Sequence, residues 1–340
     1  MSAKRPRKAT EGAAASNESP QERVRTFLKL FKHNERVLVL INPDPDSMAS
    51  AWAVTHLLWK YVRNSLIAYT GEIESAENQA MMELLKIPMM RLDDGDLKSF
   101  TGRILVDSQP HHSRIFESFT YDAVIDHHPI VKRCNAPYVD IRPEYGATST
   151  ILSEYLLGAG IRPSVRLATA LLYAIKTDTG NFEQCSNEKD VRQFRYLSHY
   201  GNLDLLRKIE KSELRPSDMQ YFQIALENRI STKKGIYSHL GKVPSAGVCM
   251  QAADFFSRFH GLGWSFISGV SDDKLFVIIR NDGYRKDAAK LASFAFGDFG
   301  VAGGHRDRAR IEIPLDALRE RGVNGYGSSL EEFVKKRLKI

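Results

Sequence analysis

The sequence predicts an α/β protein: an amino-terminal domain built on a mostly parallel sheet with helices on both faces, a helical connector, and a smaller α/β carboxyl-terminal domain. Three observations predict it. Short, continuously apolar runs at 37–41 (VLVLI), 104–106 (ILV) and 123–125 (AVI) read as strands buried on both faces, the pattern of parallel rather than half-exposed strands. Segments with helical apolar spacing alternate with these runs. Finally, the apolar runs end in acidic or imidazole side chains: VLVLINPDPD carries Asp44 and Asp46, ILVD carries Asp107, AVIDHH carries Asp126, His127 and His128, and LLYAIKTD carries Asp178. Ligands in open α/β sheets collect beyond the carboxyl ends of the strands, so these separate stretches are expected to converge on one place.

Taken in order, residues 1–20 hold Lys4, Arg5, Arg7 and Lys8 among Ala, Ser and Pro and read as a disordered basic tail. Residues 21–186 form the first domain. Gln21 to Lys32 spaces Val24, Phe27, Leu28 and Phe31 as an amphipathic helix, Val37 to Ile41 is the first strand, and Ala49 to Tyr61 is a covering helix after the NPDPDS turn. Leu66 to Tyr69, Ile104 to Val106 and Ala123 to Ile125 supply further strands, with helical material at Met81 to Leu85. Thr148 to Leu157 and Val165 to Ile175 read as helices, and Asp178 is expected just past the second. Residues 187–230, with helices at Asp204 to Glu213 and Met219 to Asn228, form the connector. In residues 231–340, strands are expected at Tyr237 to Leu240, Gly247 to Met250, Trp264 to Val270, Leu275 to Ile279 and Arg310 to Ile313. Helices are expected there at Ala252 to Phe259 and Asp287 to Phe296.

Composition narrows the class. A chain of 340 residues that is 43% hydrophobic can bury two cores. Lys and Arg number 48 against 41 Asp and Glu, which suits polyanionic partners, and without the basic tail only a mild excess is left. Cys134, Cys185 and Cys249 are far apart and form no CxxC pair, so neither a zinc ribbon nor a disulfide framework is supported. With no apolar stretch near the ~18 residues of a membrane span and no signal-peptide core, the expectation is a cytoplasmic protein without a membrane partner.

The chemistry lies in the acidic turns. Asp44 and Asp46 flank Pro45, so both carboxylates can face one pocket, where close like charges either raise a pKa or recruit a cation. With Asp107, His127 and Asp178, the donors are mainly oxygen with some imidazole, a set that suits Mn²⁺ or Mg²⁺ better than a thiolate metal. One or two ions can be held. For Asp44 alone, the simpler reading is an N-cap residue opening a helix.

Four motifs in order, NPDPDSMAS at 42–50, the Asp107 segment, DHH at 126–128 and TDTGNF at 177–182, resemble those of the DHH phosphoesterase superfamily. That group includes RecJ-type nucleases, NrnA-type oligoribonucleases and family II pyrophosphatases. The similarity spans most of residues 35–315, and AGGHRDRARIEI resembles the Gly-Gly-His motif of the DHH-associated domain. The resemblance implies one ion held by Asp46, Asp107, His127 and Asp178, with Asp107 shared with a second ion that also uses Asp44. It implies catalytic roles for His128, contacting phosphate, and Asp126, fixing an imidazole tautomer, and substrate binding by Arg280, Gly303, Gly304 and His305.

Two positions depart from the family pattern: Ala49 replaces the expected glycine of the first motif, a mild change, and Leu40 stands where the family usually has His, and leucine ligates no metal. His111 and His112 could furnish a substitute imidazole or be ordinary surface residues. Two functions follow. The first is a metal-dependent phosphoesterase acting on small nucleotides such as phosphoadenosine phosphate or on short single-stranded oligonucleotides, with a homodimer as an allowed assembly. The alternative is a nucleotide-binding regulatory protein whose metal site is degenerate because of Leu40.

Overall fold

A computed structural model describes residues 18–73, 75–92, 99–183, 186–212, 214–232, 235–283, 286–323 and 327–340. The expected tail up to residue 17, Cys185 and Glu213 therefore lie outside the described residues. The chain divides into two units, Met1–Ser212 and Glu213–Ile340.

The first unit is built on strands β1 (Arg36–Ile41), β2 (Asn64–Tyr69), β3 (Met89–Arg91), β4 (Gly102–Val106), β5 (Ala123–Asp126) and β6 (Tyr138–Ile141). They pair in the order β3-β2-β1-β4-β5-β6, every pairing parallel. The order reverses between β1 and β4, and such a switch point opens a crevice beyond the strand ends. Its helices are α1 (Pro20–Leu28), α2 (Pro45–Leu58), α3 (Ala76–Leu85), α4 (Arg114–Glu117), α5 (Thr148–Gly158), α6 (Val165–Asp178), α7 (Glu188–Ser198) and α8 (Leu203–Glu210).

Because strand side chains alternate between faces, β1 feeds two cores. Val37, Val39 and Ile41 join the larger cluster, shared with α1, α2, α3, α5 and α6. Leu38 and Leu40 join a smaller one on the opposite face with Ala68, Leu105, Val124 and Phe116 of α4. Helix α2 buries Met48, Ala51, Trp52, Val54 and Leu57 from around its circumference, as a helix enclosed by neighbours must.

The second unit holds α9 (Met219–Glu227), β7 (Ile230–Ser231), β8 (Ile236–Lys242), α10 (Ala246–Ser257), β9 (Trp264–Ser271), β10 (Lys274–Asn281), α11 (Ala288–Phe296), β11 (Val301–Gly304), β12 (Arg308–Pro314), α12 (Leu315–Arg319) and α13 (Ser328–Leu338). Its sheet, β11-β12-β10-β9-β8-β7, is mixed, parallel only between β8 and β9. Apolar clusters cover both faces, one using α10 and the other α11, α12 and α13.

Two expectations need correction. Gly247 to Met250, expected as a strand, is the opening of α10, because Cys249, Ala252, Ala253 and Phe256 recur at helical spacing and are all buried. Asp178 is the last residue of α6 rather than a residue beyond it. Among the described residues, no helix is long and apolar enough to cross a membrane.

Candidate metal centre

The turns following β1, β4 and β5 open at the switch point, and α6 delivers a fourth segment to the same place. After β1, Asp44 caps α2: its Oδ1 accepts from Ser47 N at 2.8 Å, its own N–H donates to Ser47 Oγ at 3.0 Å, and Pro45 takes the first helical position. The simple N-cap role thus coexists with a place near the acidic cluster. Asp46, one residue into the helix, is fully buried and reaches α5. Its Oδ2 accepts from Thr148 N at 2.6 Å and its Oδ1 from Ser149 N at 2.8 Å. Helix α5 needs this, because its N-cap residue is Ala147 and makes no side-chain cap.

After β4, Asp107 adopts φ +57°, a left-handed conformation that costs a non-glycine residue energy and aims its carboxylate at the cluster. Thr148 Oγ1 donates to Asp107 Oδ1 at 2.8 Å. At the end of β5, the Asp126 carboxylate holds two neighbours: Oδ1 lies 2.8 Å from His128 Nδ1 and Oδ2 accepts from Gln109 Nε2 at 2.8 Å.

His127 is the hub. Its Nδ1 lies 3.1 Å from the Tyr145 carbonyl, which can only accept, so Nδ1 carries a proton. Its Nε2 is buried and makes no hydrogen bond, although Asp178 Oδ2, Asp107 Oδ1 and Asp46 Oδ2 lie 3.1, 3.7 and 3.9 Å away. A nitrogen facing three carboxylates needs an electrophile between them, a proton or a cation. Adjacent ligands around a Mn²⁺- or Mg²⁺-sized ion with bonds of about 2.1 Å stand about 3 Å apart, so small adjustments would let one cation bind all four groups. Two triads, Asp46–His127–Asp178 and Asp107–His127–His128, each offer ligand atoms within 4.8 Å of one another. The residues present therefore fit a divalent cation. Asp44 belongs to neither triad.

The electrostatics agree. Burial, then the neighbouring carboxylates Asp46, Asp44 and Asp178, hold Asp107 well above the usual carboxylate range. Burial likewise raises Asp46, with Asp178 adding to it, and raises Asp44. Burial works against a charge on His127, yet Asp178 and Asp46 outweigh it and push the imidazole up to about 9, so without metal a proton occupies Nε2 and a cation binding there must displace it. Asp126 moves the other way: burial opposes its charge, but the His128 and Gln109 hydrogen bonds lower it.

The structure thus brings Asp46, Asp107, His127, His128, Asp126 and Asp178 together. Leu40 stays out, fully buried in the apolar cluster on the far face. Sequence reasoning missed Thr148, Ser149 and Gln109, which hold the acidic groups; a helix start lacking its own capping side chain was the available signal for the first two.

In the second unit, Arg280 of β10 pairs with Asp254 of α10, Nε to Oδ1 at 2.6 Å. Gly303 and Gly304 lie in edge strand β11, paired with Arg310 and Ala309. Gly304 has φ +150°, and a Cβ there would meet Arg308 O at 2.3 Å, so close strand approach explains this glycine. His305 N donates to Arg308 O at 2.7 Å in the turn that follows, and its side chain is exposed.

No family profile matches the chain. An uncharacterized protein of Methanocaldococcus jannaschii is 34% identical over 284 residues, covering 83% of this chain and 58% of that protein. A probable manganese-dependent inorganic pyrophosphatase of Clostridium acetobutylicum is 29% identical over 167 residues, 48% of this chain and 53% of that protein. The chain spans little more than half the length of these two curated relatives. Among solved structures, an exopolyphosphatase-related protein from Bacteroides fragilis aligns with TM-score 0.62 and 16% identity, over 96% of this chain and 100% of that one. With the parallel sheet, its switch-point acidic turns and this likeness in hand, the chain has the fold of the DHH phosphoesterase family.

Proposed function

We propose that the chain is a divalent-metal-dependent phosphoesterase that hydrolyses phosphate esters of small nucleotides or short oligonucleotides. One observation carries the reading: His127 Nε2, buried and without a hydrogen bond, faces oxygens of Asp46, Asp107 and Asp178 within 3.9 Å. Asp46, Asp107, His127 and Asp178 would hold one Mn²⁺ or Mg²⁺ ion, and Asp44 and His128 border the space for a second. A cation bound there supplies Lewis acidity toward a phosphoryl oxygen and makes water a stronger acid. The chain's own groups supply the rest. The Asp126 carboxylate orients His128 through Nδ1, leaving Nε2 to meet a phosphate oxygen. Thr148 Oγ1 fixes Asp107, and the α5 amides fix Asp46, so the acidic groups do not rearrange as charge develops on phosphate. Arg280, Gly303, Gly304 and His305 are proposed for the nucleotide portion.

The test is a Mn²⁺-supplemented screen of phosphoadenosine phosphate, linear and cyclic dinucleotides and short single strands, with Asp107→Asn as control. Turnover that falls by about 10²-fold or more in that variant supports the reading. Inertness of the folded, Mn²⁺-loaded wild type toward every substrate refutes it. The buried Leu40 favours a second reading, a nucleotide-binding protein holding a single ion. That reading requires tight nucleotide binding, one bound ion per chain, and no turnover.

A further inference from the structure

Beside the metal centre, in the same unit, lies a cavity of about 510 Å³ whose lining the phosphoesterase reading does not use. Lys132 and Arg133 border it, together with His111 and the rings of Phe119 and Tyr121, and Glu117 is its one lining carboxylate. Neither Lys132 nor Arg133 has an ion pair or hydrogen bond to another described side chain, and His111 Nε2 is buried with no hydrogen-bond partner. The Tyr121 hydroxyl, by contrast, donates to Phe116 O at 2.9 Å, so its ring serves as apolar wall.

Four imidazoles connect this cavity to the metal centre. Ring centroids step from His111 to His112 at 4.7 Å, to His128 at 5.6 Å and to His127 at 4.6 Å. Gln109 ties the two regions together: its Nε2 donates to Asp126 Oδ2 at 2.8 Å and to His128 O at 3.2 Å, and Cys134 of the cavity wall contacts its Oε1 at 4.0 Å.

The second imidazole is the informative one. The Gln109 N–H donates to His112 Nδ1 at 3.2 Å, and a backbone N–H can only donate. Nδ1 therefore keeps its lone pair and the neutral ring carries its proton on Nε2. A metal ion needs a lone pair at the nitrogen it binds, so Nε2 of this tautomer is a hydrogen-bond donor rather than a ligand. His112 does not replace the imidazole missing at Leu40. Its exposed ring can offer that N–H to an anion.

We propose that this cavity is a second phosphate site, in which His111, Lys132 and Arg133 of its lining, with His112 against the His111 ring, receive the phosphate adjoining the scissile one in a nucleotide chain. The span favours one class. Two ring-to-ring steps, of 4.7 and 5.6 Å, lead from His111 to His128, which suits phosphates separated by a full nucleotide better than the two phosphates of a diphosphate, which share one bridging oxygen. Cations beside aromatic rings suit single-stranded nucleotides.

The inference builds on the phosphoesterase reading, and its test separates the two. Dinucleotides with and without a terminal phosphate, at the 5′ or the 3′ end, are compared on the full chain, both as Mn²⁺-dependent substrates and as ligands of the metal-free protein. In the Lys132→Ala/Arg133→Ala double variant, the preference for the phosphorylated dinucleotide, as a ratio of kcat/KM or of Kd, should fall about tenfold, and the salt dependence of binding should weaken. His112→Phe should lower the same ratio and His112→Gln restore it, with Mn²⁺ stoichiometry equal in all three proteins. Equal losses on both dinucleotides, or a lost ion in His112→Phe, would overturn the second site while leaving the phosphoesterase reading standing. Inert protein that still binds the phosphorylated dinucleotide through Lys132 and Arg133 would do the reverse.

Discussion

Replacing Asp107 by Asn should stabilise the metal-free protein and abolish its stabilisation by Mn²⁺. Asp107 Oδ1 and Asp46 Oδ2 share the neighbourhood of His127 Nε2 at 3.7 and 3.9 Å, with Asp178 Oδ2 at 3.1 Å. Two carboxylates about 5 Å apart repel by about 3 kcal/mol at an effective dielectric near 20. Protonation relieves part of this, leaving about 1–3 kcal/mol to gain on neutralising Asp107. In a unit of this size that corresponds to a rise in Tm of about 5 °C. Asparagine keeps the Oδ1 that accepts from Thr148, so packing changes little. The wild type gains from the ion instead: about 2.7 kcal/mol at a Mn²⁺ concentration a hundred times Kd. The pH dependence follows from the same groups. Asp107, held well above the usual range, keeps a proton in the folded chain that the unfolded chain loses, so stability falls as pH rises from the ordinary carboxylate pKa through the raised one. His127, pushed up to about 9 from 6.5, contributes stability that is complete below 6.5 and lost as pH rises through about 9. Calorimetric melts in chelator should therefore decline from pH 5 to pH 9, and Mn²⁺ should rescue most strongly at the alkaline end, where protons no longer compete. Asp107→Asn less stable than wild type in chelator, together with no Mn²⁺ shift in wild type, would refute the account of a cation site built from mutually repelling groups.

Other perturbations test its parts. Leu40→His places an imidazole in the apolar cluster of Leu38, Ala68 and Leu105 and should cost about 2–4 kcal/mol in denaturant titrations with chelator present. A second bound ion and partial recovery in Mn²⁺ would show that this position limits the site. Thr148→Val removes the hydroxyl held by Asp107 while leaving the backbone donor to Asp46, and calorimetric Mn²⁺ affinity should drop about 10- to 100-fold. Gly304→Ala, at φ +150° with Arg308 O 2.3 Å from the new Cβ, should lower stability by at least about 2 kcal/mol. Gly303→Ala has open space and should be close to neutral in the same melts.

How much of the fold could be read from the chain depended on how apolar each element is. Strands β1, β4 and β5 are buried on both faces and declared themselves as continuous runs. Strand β3 spans three residues, two of them exposed; β6 carries Asp140, bound by Arg142 at 2.6 Å; and β11 is half glycine. None has the composition of a buried strand, and each is an edge strand whose place is set by its neighbour. The opening of α10 misled for the opposite reason: Val248 and Cys249 suit a strand, and only the continuation to Ala252, Ala253 and Phe256 reveals the helical period.

The candidate site divides along the same line. Its candidate ligands were legible because each ends or closely follows an element that announces itself, whereas the groups that hold them were not. Asp46 accepts from amides 102 and 103 positions away, a distance over which no local pattern speaks. That contact joins two tasks in one side chain: Asp46 closes the N-terminus of α5, and it borders the cluster around His127. Each carboxylate oxygen has a second lone pair, so the amides and a cation need not compete. The amides favour the ionised form of Asp46 against the burial that raises its pKa. Removing the carboxylate as Asp46→Ala should therefore cost more than a ligand, because two amides of α5 lose their acceptor in a buried place. The loss should persist in chelator, at about 2–4 kcal/mol, whereas the Asp107→Asn change reverses sign there. Opposite signs from two neighbouring aspartates, measured without metal, would separate a carboxylate that supports the fold from one tolerated for the cation it holds.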